Sequence, residues 1–170
     1  MAREAGLAGC SIEDFTREPA NPIYPLDQAV ERVAAAARAA HEGPVQLVLT
    51  ARAENHLHGR DDLTDTISRL QAYQEAGADV LYAPGISRRE EIRDLLAAVA
   101  RPVNVLARPG LPPVSELAEL GVSRISVGGA FAFAALGALV EAAQELRERG
   151  TYRYLERSRA GADAARRAFK

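Results

Sequence analysis

A chain of 170 residues, 48% apolar and 26% charged, has enough apolar surface for one domain with a packed core. Its net charge of −2 supplies no electrostatic drive toward nucleic acid or an anionic membrane. A lone cysteine, Cys10, excludes an internal disulfide framework, no apolar run reaches the roughly 18 residues that cross a bilayer, and the N-terminus has no signal-peptide segment, which together predict a cytoplasmic protein.

Five apolar runs rich in β-branched residues alternate with five stretches of helical period. A strand over Gly9–Phe15 precedes a helix over Leu26–His41. A strand over Val45–Ala51 leads to a helix over Asp62–Ala76, where Ile67, Leu70 and Tyr73 recur at helical spacing between charges. Next come a strand over Asp79–Gly85 and a helix over Arg88–Ala100, then Val103–Arg108 and Pro113–Leu120. The strand Arg124–Gly129 is followed by the helix Ala130–Arg149. The tail from Arg147 to Lys170, rich in Arg and Ala, reads as a helical or frayed arm, giving a strand–helix domain over 1–150 and an arm over 151–170. Near-continuous apolar strands, short connections and Gly or Pro at most junctions describe an α/β chain with a parallel sheet.

One junction repeats. Glu4-Ala5-Gly6, Glu75-Ala76-Gly77 and Glu119-Leu120-Gly121 each stand before a strand, as helix ends with a glycine cap. The first copy predicts that Met1 lies within the last turn of a helix begun earlier. Five β/α units also fall short of the eight units and roughly 250 residues of a barrel. Pattern alone leaves two architectures open, a partial (β/α)8 barrel or a complete doubly wound sheet.

In either architecture function gathers at the carboxyl ends of the strands. Those ends carry Glu13 and Asp14, Arg52 and Glu54, Pro84 and Gly85, Asn104 and Arg108, and Gly128 and Gly129. Carboxylates, an arginine and an amide on one rim suit a divalent cation and an anionic substrate. Gly128 and Gly129, opening a helix, read equally as an anion cradle or as close packing. His56 and His58 form an H-x-H pair but have no evident third ligand, so solvated histidines are expected. Cys10 is expected to be a small buried thiol.

Gly9-Cys10-Ser11-Ile12-Glu13-Asp14 resembles the fourth-strand G-x-x-I-E-D segment of the isocitrate lyase/phosphoenolpyruvate mutase superfamily. Leu49-Thr50-Ala51-Arg52 resembles its fifth strand, Ala76–Gly85 its sixth, Pro102–Leu106 its seventh and Gly121–Gly129 its eighth. The matches run in order over roughly residues 4 to 150, and the resemblance favours the partial TIM barrel.

That resemblance implies a Mg2+-dependent enzyme that makes or breaks a C–C or P–C bond of a 2-oxo acid through an enolate. Glu13 would serve the metal, through a water, while Arg52 and Asn104 would act on a small carboxylic acid substrate with Gly128 and Gly129 lining its site. Two departures matter. The aspartates that the family carries on earlier strands as principal metal ligands have no counterpart in these residues. The stretch Phe15–Pro22 also lacks the Lys, Cys and His of the lyase loop, which points to a decarboxylase, hydrolase or mutase-like branch. A partial barrel with open strand edges and an apolar inner face is expected to associate as a homo-oligomer. The remaining alternatives are an inactive remnant and a small α/β binding domain.

Overall fold

Each apolar run forms a strand, and each strand is followed by a helix. This computed structural model describes Ala2 and residues 4–169; the expected helix turn at Met1 and the end of the arm at Lys170 lie outside them. The order is β1 (Gly9–Glu13), α1 (Leu26–His41), β2 (Val48–Arg52), a short 3-10 turn (Asn55–His58), α2 (Leu63–Glu75), β3 (Val80–Tyr82), α3 (Arg89–Ala98), β4 (Val103–Leu106), α4 (Val114–Leu120), β5 (Arg124–Ser126), α5 (Ala130–Arg149) and α6 (Leu155–Ala168). The strands are shorter than their apolar runs. β3 stops at Tyr82 ahead of Pro84, which has no N–H to donate to a ladder, and β2 starts only after the Gly43-Pro44 bend.

The sheet is wholly parallel, with strands in the order β1-β2-β3-β4-β5. Right-handed crossovers between neighbours laid down in chain order put their helices on one face, whereas a doubly wound sheet reverses direction and uses both. Sequential order is the barrel pattern, so the chain is a partial (β/α)8 barrel.

On the helix-covered face Leu49, Ala51, Leu81, Val103 and Val105 join Val33, Leu70, Tyr73, Ile92, Leu95 and Leu117 in one buried cluster. The alternate positions Glu13, Thr50, Arg52, Asn104, Arg124 and Ser126 belong to the opposite face. The inner face is therefore largely polar, which corrects the expectation of an apolar one. Two glycines carry the repeated junction: Gly77 and Gly121 have φ of +102° and +97°. A Cβ on Gly77 would also lie 2.9 Å from that of Ala37. Cys10 is exposed rather than buried, because β1 is an edge strand.

Asp79 ties three elements together. One of its oxygens accepts from the Leu49 N–H and meets His41 Nε2, both at 2.8 Å. Partial burial raises its pKa, but these two partners outweigh that and hold it below the ordinary value of 3.8. A depressed carboxylate stabilises the fold above the unfolded-state pKa, and the contribution is lost as pH falls through the lower folded value. Asp79→Asn should therefore melt below the parent at pH 7, and melting curves should converge as the pH drops well under 3.8.

The residues from Gly128 onward form a separate compact unit. Where α5 turns toward α6, the buried Glu145 accepts from Thr151 Oγ1 at 2.6 Å and from the Arg153 N–H at 2.8 Å. α5 exposes Phe131, Phe133, Leu136 and Leu139, and α6 buries no residue. Among the described residues no helix is long and apolar enough to cross a membrane.

Candidate active site

The strand register assembles the site. Glu13 pairs with Arg52, Arg52 with Tyr82, Tyr82 with Asn104, and Asn104 with Arg124, forming one row across all five strands. Partners in a parallel ladder point to the same side, so the row shares the face that the helices leave uncovered.

Arg52 is the row's most constrained cation. Its Nε donates to Glu54 Oε1 at 2.7 Å and lies 3.5 Å from Glu13 Oε2, while Cζ sits 5.1 Å from the centre of the Tyr82 ring. Burial opposes the charge, but the bond to Glu54 and the nearby glutamates outweigh it and raise the guanidinium pKa above its ordinary value. Its terminal nitrogens make no hydrogen bond to the described residues, and its side chain is 27% exposed. An open, pre-oriented guanidinium fork is the donor geometry that grips a carboxylate through two parallel bonds. Glu54, its side chain 4% exposed, has its carboxyl pushed up by burial against the pull of Arg52.

The adjacent carboxylates Glu13 and Asp14 have different fates. Asp14 is buried, its Oδ1 accepting from the Glu54 N–H at 2.8 Å and its Oδ2 from Tyr73 Oη at 2.6 Å and Arg69 Nη1 at 3.2 Å. Burial, then Asp14, pushes the Tyr73 hydroxyl pKa far up. Asp14 is thus a strut between β1, the end of β2 and α2. Glu13, its side chain 34% exposed, keeps an accessible carboxylate on the rim.

Asn104 is 1% exposed, and both ends of its amide are engaged, by Arg124 and by Ser126. Gly129 caps α5, where an added Cβ would lie 2.8 Å from the exposed Phe133 ring, which is free to turn aside; Gly128 precedes it with φ of +53°. Both belong to the second unit. Arg108 donates to the Gly85 carbonyl at 2.9 Å. The His56 side chain is not solvated, being 6% exposed with Nδ1 3.5 Å from Asp61, while the half-buried His58 stacks on Phe15 at 4.1 Å. Tyr82, Arg124 and Ser126 are additions that the sequence reading missed. Their place in the row follows from the strand register, which pairs Tyr82 with Arg52 and Arg124 with Asn104 and is not written in any local pattern.

Among the described residues no three His, Cys, Asp or Glu side chains converge on a cation site. With Asp14 and Glu54 committed to internal partners, Glu13 is the rim carboxylate left open. A single accessible carboxylate fits a contact to Mg2+ through its water shell, which that ion sheds reluctantly.

A family profile described as phosphoenolpyruvate phosphomutase matches residues 1–147. The chain is 30% identical over 142 residues to oxaloacetate decarboxylase 1 of Pseudomonas putida, covering 79% of this chain and 47% of that protein. A crystal structure of a lyase/mutase from Burkholderia cenocepacia superposes with a TM-score of 0.88 at 55% identity, covering 91% of this chain and 56% of the other. A phosphonopyruvate hydrolase in complex with oxalate and Mg2+ superposes with a TM-score of 0.72 at 26% identity, over 98% and 62% of the two chains. The chain spans about half the length of the curated relatives it matches, 52% and 47% in two of them.

Proposed function

The chain belongs to the phosphoenolpyruvate phosphomutase family, and from that premise we propose that it carries the carboxylate-gripping part of an active site. The site acts on a small 2-oxo acid in the cytoplasm, making or breaking a C–C or P–C bond. The observation that carries this reading is the open fork of Arg52, fixed at Nε by Glu54 and seated on Tyr82. Its positive charge also offsets the negative charge that develops on an enolate oxygen. For oxaloacetate the C3–C4 bond breaks, its electron pair passes to the C2 oxygen as the enolate of pyruvate, CO2 leaves, and C3 then takes a proton. Mg2+, when bound, supplies polarisation of the oxo group, and Glu13 would hold it through a water. With neither Lys, Cys nor His in Phe15–Pro22, decarboxylation, hydrolysis or mutase-like transfer is favoured over isocitrate cleavage.

The test is pyruvate formation from oxaloacetate, and formation of pyruvate or phosphoenolpyruvate from phosphonopyruvate, with Mg2+ present. Turnover of either is expected. A second reading, carboxylate binding without turnover, is favoured by the missing three-residue cation cluster among the described residues. Oxalate binding with neither product formed would select it, and neither binding nor turnover would remove both readings.

Homo-oligomerisation is part of the proposal, with the α5 helix of a second copy as the partner. The segment Ala130–Val140 carries no charge and exposes two phenylalanines and two leucines, a surface matched best by another uncharged one. Sedimentation at micromolar concentration should show an assembly that Leu136→Arg disperses. A monomeric parent would contradict this.

A further inference from the structure

On the inner face a buried asparagine is tied to a half-buried serine and an exposed arginine, and the bonds run from the arginine through the amide to the serine. Arg124 Nη2 donates to Thr50 Oγ1 at 3.0 Å, and Nε donates to Asn104 Oδ1 at 2.9 Å. A guanidinium has no acceptor, so it dictates which end of the amide faces it. Asn104 Nδ2 must then point away, and it donates to Ser126 Oγ at 2.9 Å. Ser126 Oγ in turn lies 3.2 Å from the Val105 carbonyl and 3.4 Å from the Tyr82 hydroxyl. Tyr82 is 7% exposed, and its ring is the platform beneath the Arg52 guanidinium.

We infer that Arg124, Asn104 and Ser126 form a positioning relay that seats Tyr82 under Arg52 and so aims the fork that receives the substrate carboxylate. Glu54 fixes one edge of the guanidinium through Nε, and the Tyr82 ring lies beneath it, 5.1 Å from Cζ. Held at one edge and supported on one face, the fork is restrained on two sides. These residues act through Arg52 and need not touch substrate. The inference rests on the reading of Arg52 as the carboxylate-binding group.

The probe is oxalate with Mg2+, measured by calorimetry on the intact chain. Tyr82→Phe and Ser126→Ala both cut the Ser126–Tyr82 link, and Ser126→Ala also removes the acceptor of Asn104 Nδ2. Each should raise the oxalate Kd about fivefold, and the double variant should do no worse than Ser126→Ala, which already removes the link that Tyr82→Phe removes. Effects that multiply in the double variant would overturn the relay. The Nε–H resonance of Arg52, displaced by the ring current of Tyr82, reads the same seating without any ligand. It should move in Ser126→Ala, and a resonance that stays put overturns the relay whether or not oxalate binds. Arg52→Ala separates the two levels. If it leaves oxalate affinity unchanged, the carboxylate-binding reading fails, while the resonance still decides the relay.

Discussion

Arg52→Ala should lower kcat/KM toward a 2-oxo acid by about a hundredfold or more, equivalent to roughly 3 kcal/mol of transition-state stabilisation. The variant also strips the buried Glu54 of its partner, so some loss of melting temperature is expected with it. Arg52→Lys separates the effects. An ammonium can still neutralise Glu54 and Glu13, so stability should largely return. It lacks the planar fork, so kcat/KM should stay close to the alanine value. If both variants retain kcat/KM within about twofold of the parent while only the melting temperature moves, Arg52 is a rim ion-pair residue and leaves the site.

Asp14→Ala should produce the largest stability loss, about 3–5 kcal/mol, because it removes the shared acceptor of three buried donors and one of the two carboxylates that hold Arg69. The same truncation orphans the Tyr73 hydroxyl and the Glu54 N–H, each with little access to replacement water. Arg69 keeps Asp65 at 2.8 Å and the Tyr24 carbonyl at 3.0 Å, which bounds the damage. Asp14→Asn retains an oxygen acceptor and the side-chain shape, and should fall between parent and alanine in chemical denaturation. Equal midpoints for Asp14→Ala and the parent would show that the network contributes nothing.

The alternation of strands and helices was legible because apolar residues repeat with the period that each element imposes. Leu49 and Ala51, or Val103 and Val105, stand two apart and reach the same buried cluster. The placement of Arg52 was legible for a similar reason, since a charge ending an apolar run has to leave the strand at its rim. Glu13 and Asp14 could not be told apart. Their difference depends on Arg69 and Tyr73, 55 and 59 residues further along, and local pattern carries no information about such partners. Tyr82 was concealed within an apolar run, and Arg124 stands at the start of its strand rather than at the carboxyl end. His56 and His58 looked like polar loop residues, yet a 3-10 turn folds one inward and sets the other against Phe15.

The row from Glu13 to Arg124 takes one member from each strand, and each of its first four strands leads into its own helix. A β/α unit is therefore a cassette that delivers one row residue at a height fixed by backbone pairing. Units exchanged between two proteins of this architecture would rebuild the row wherever strand length and register agree, whatever the helices carry on their outer surfaces. Chemistry can thus diversify one cassette at a time while the neighbours hold their places.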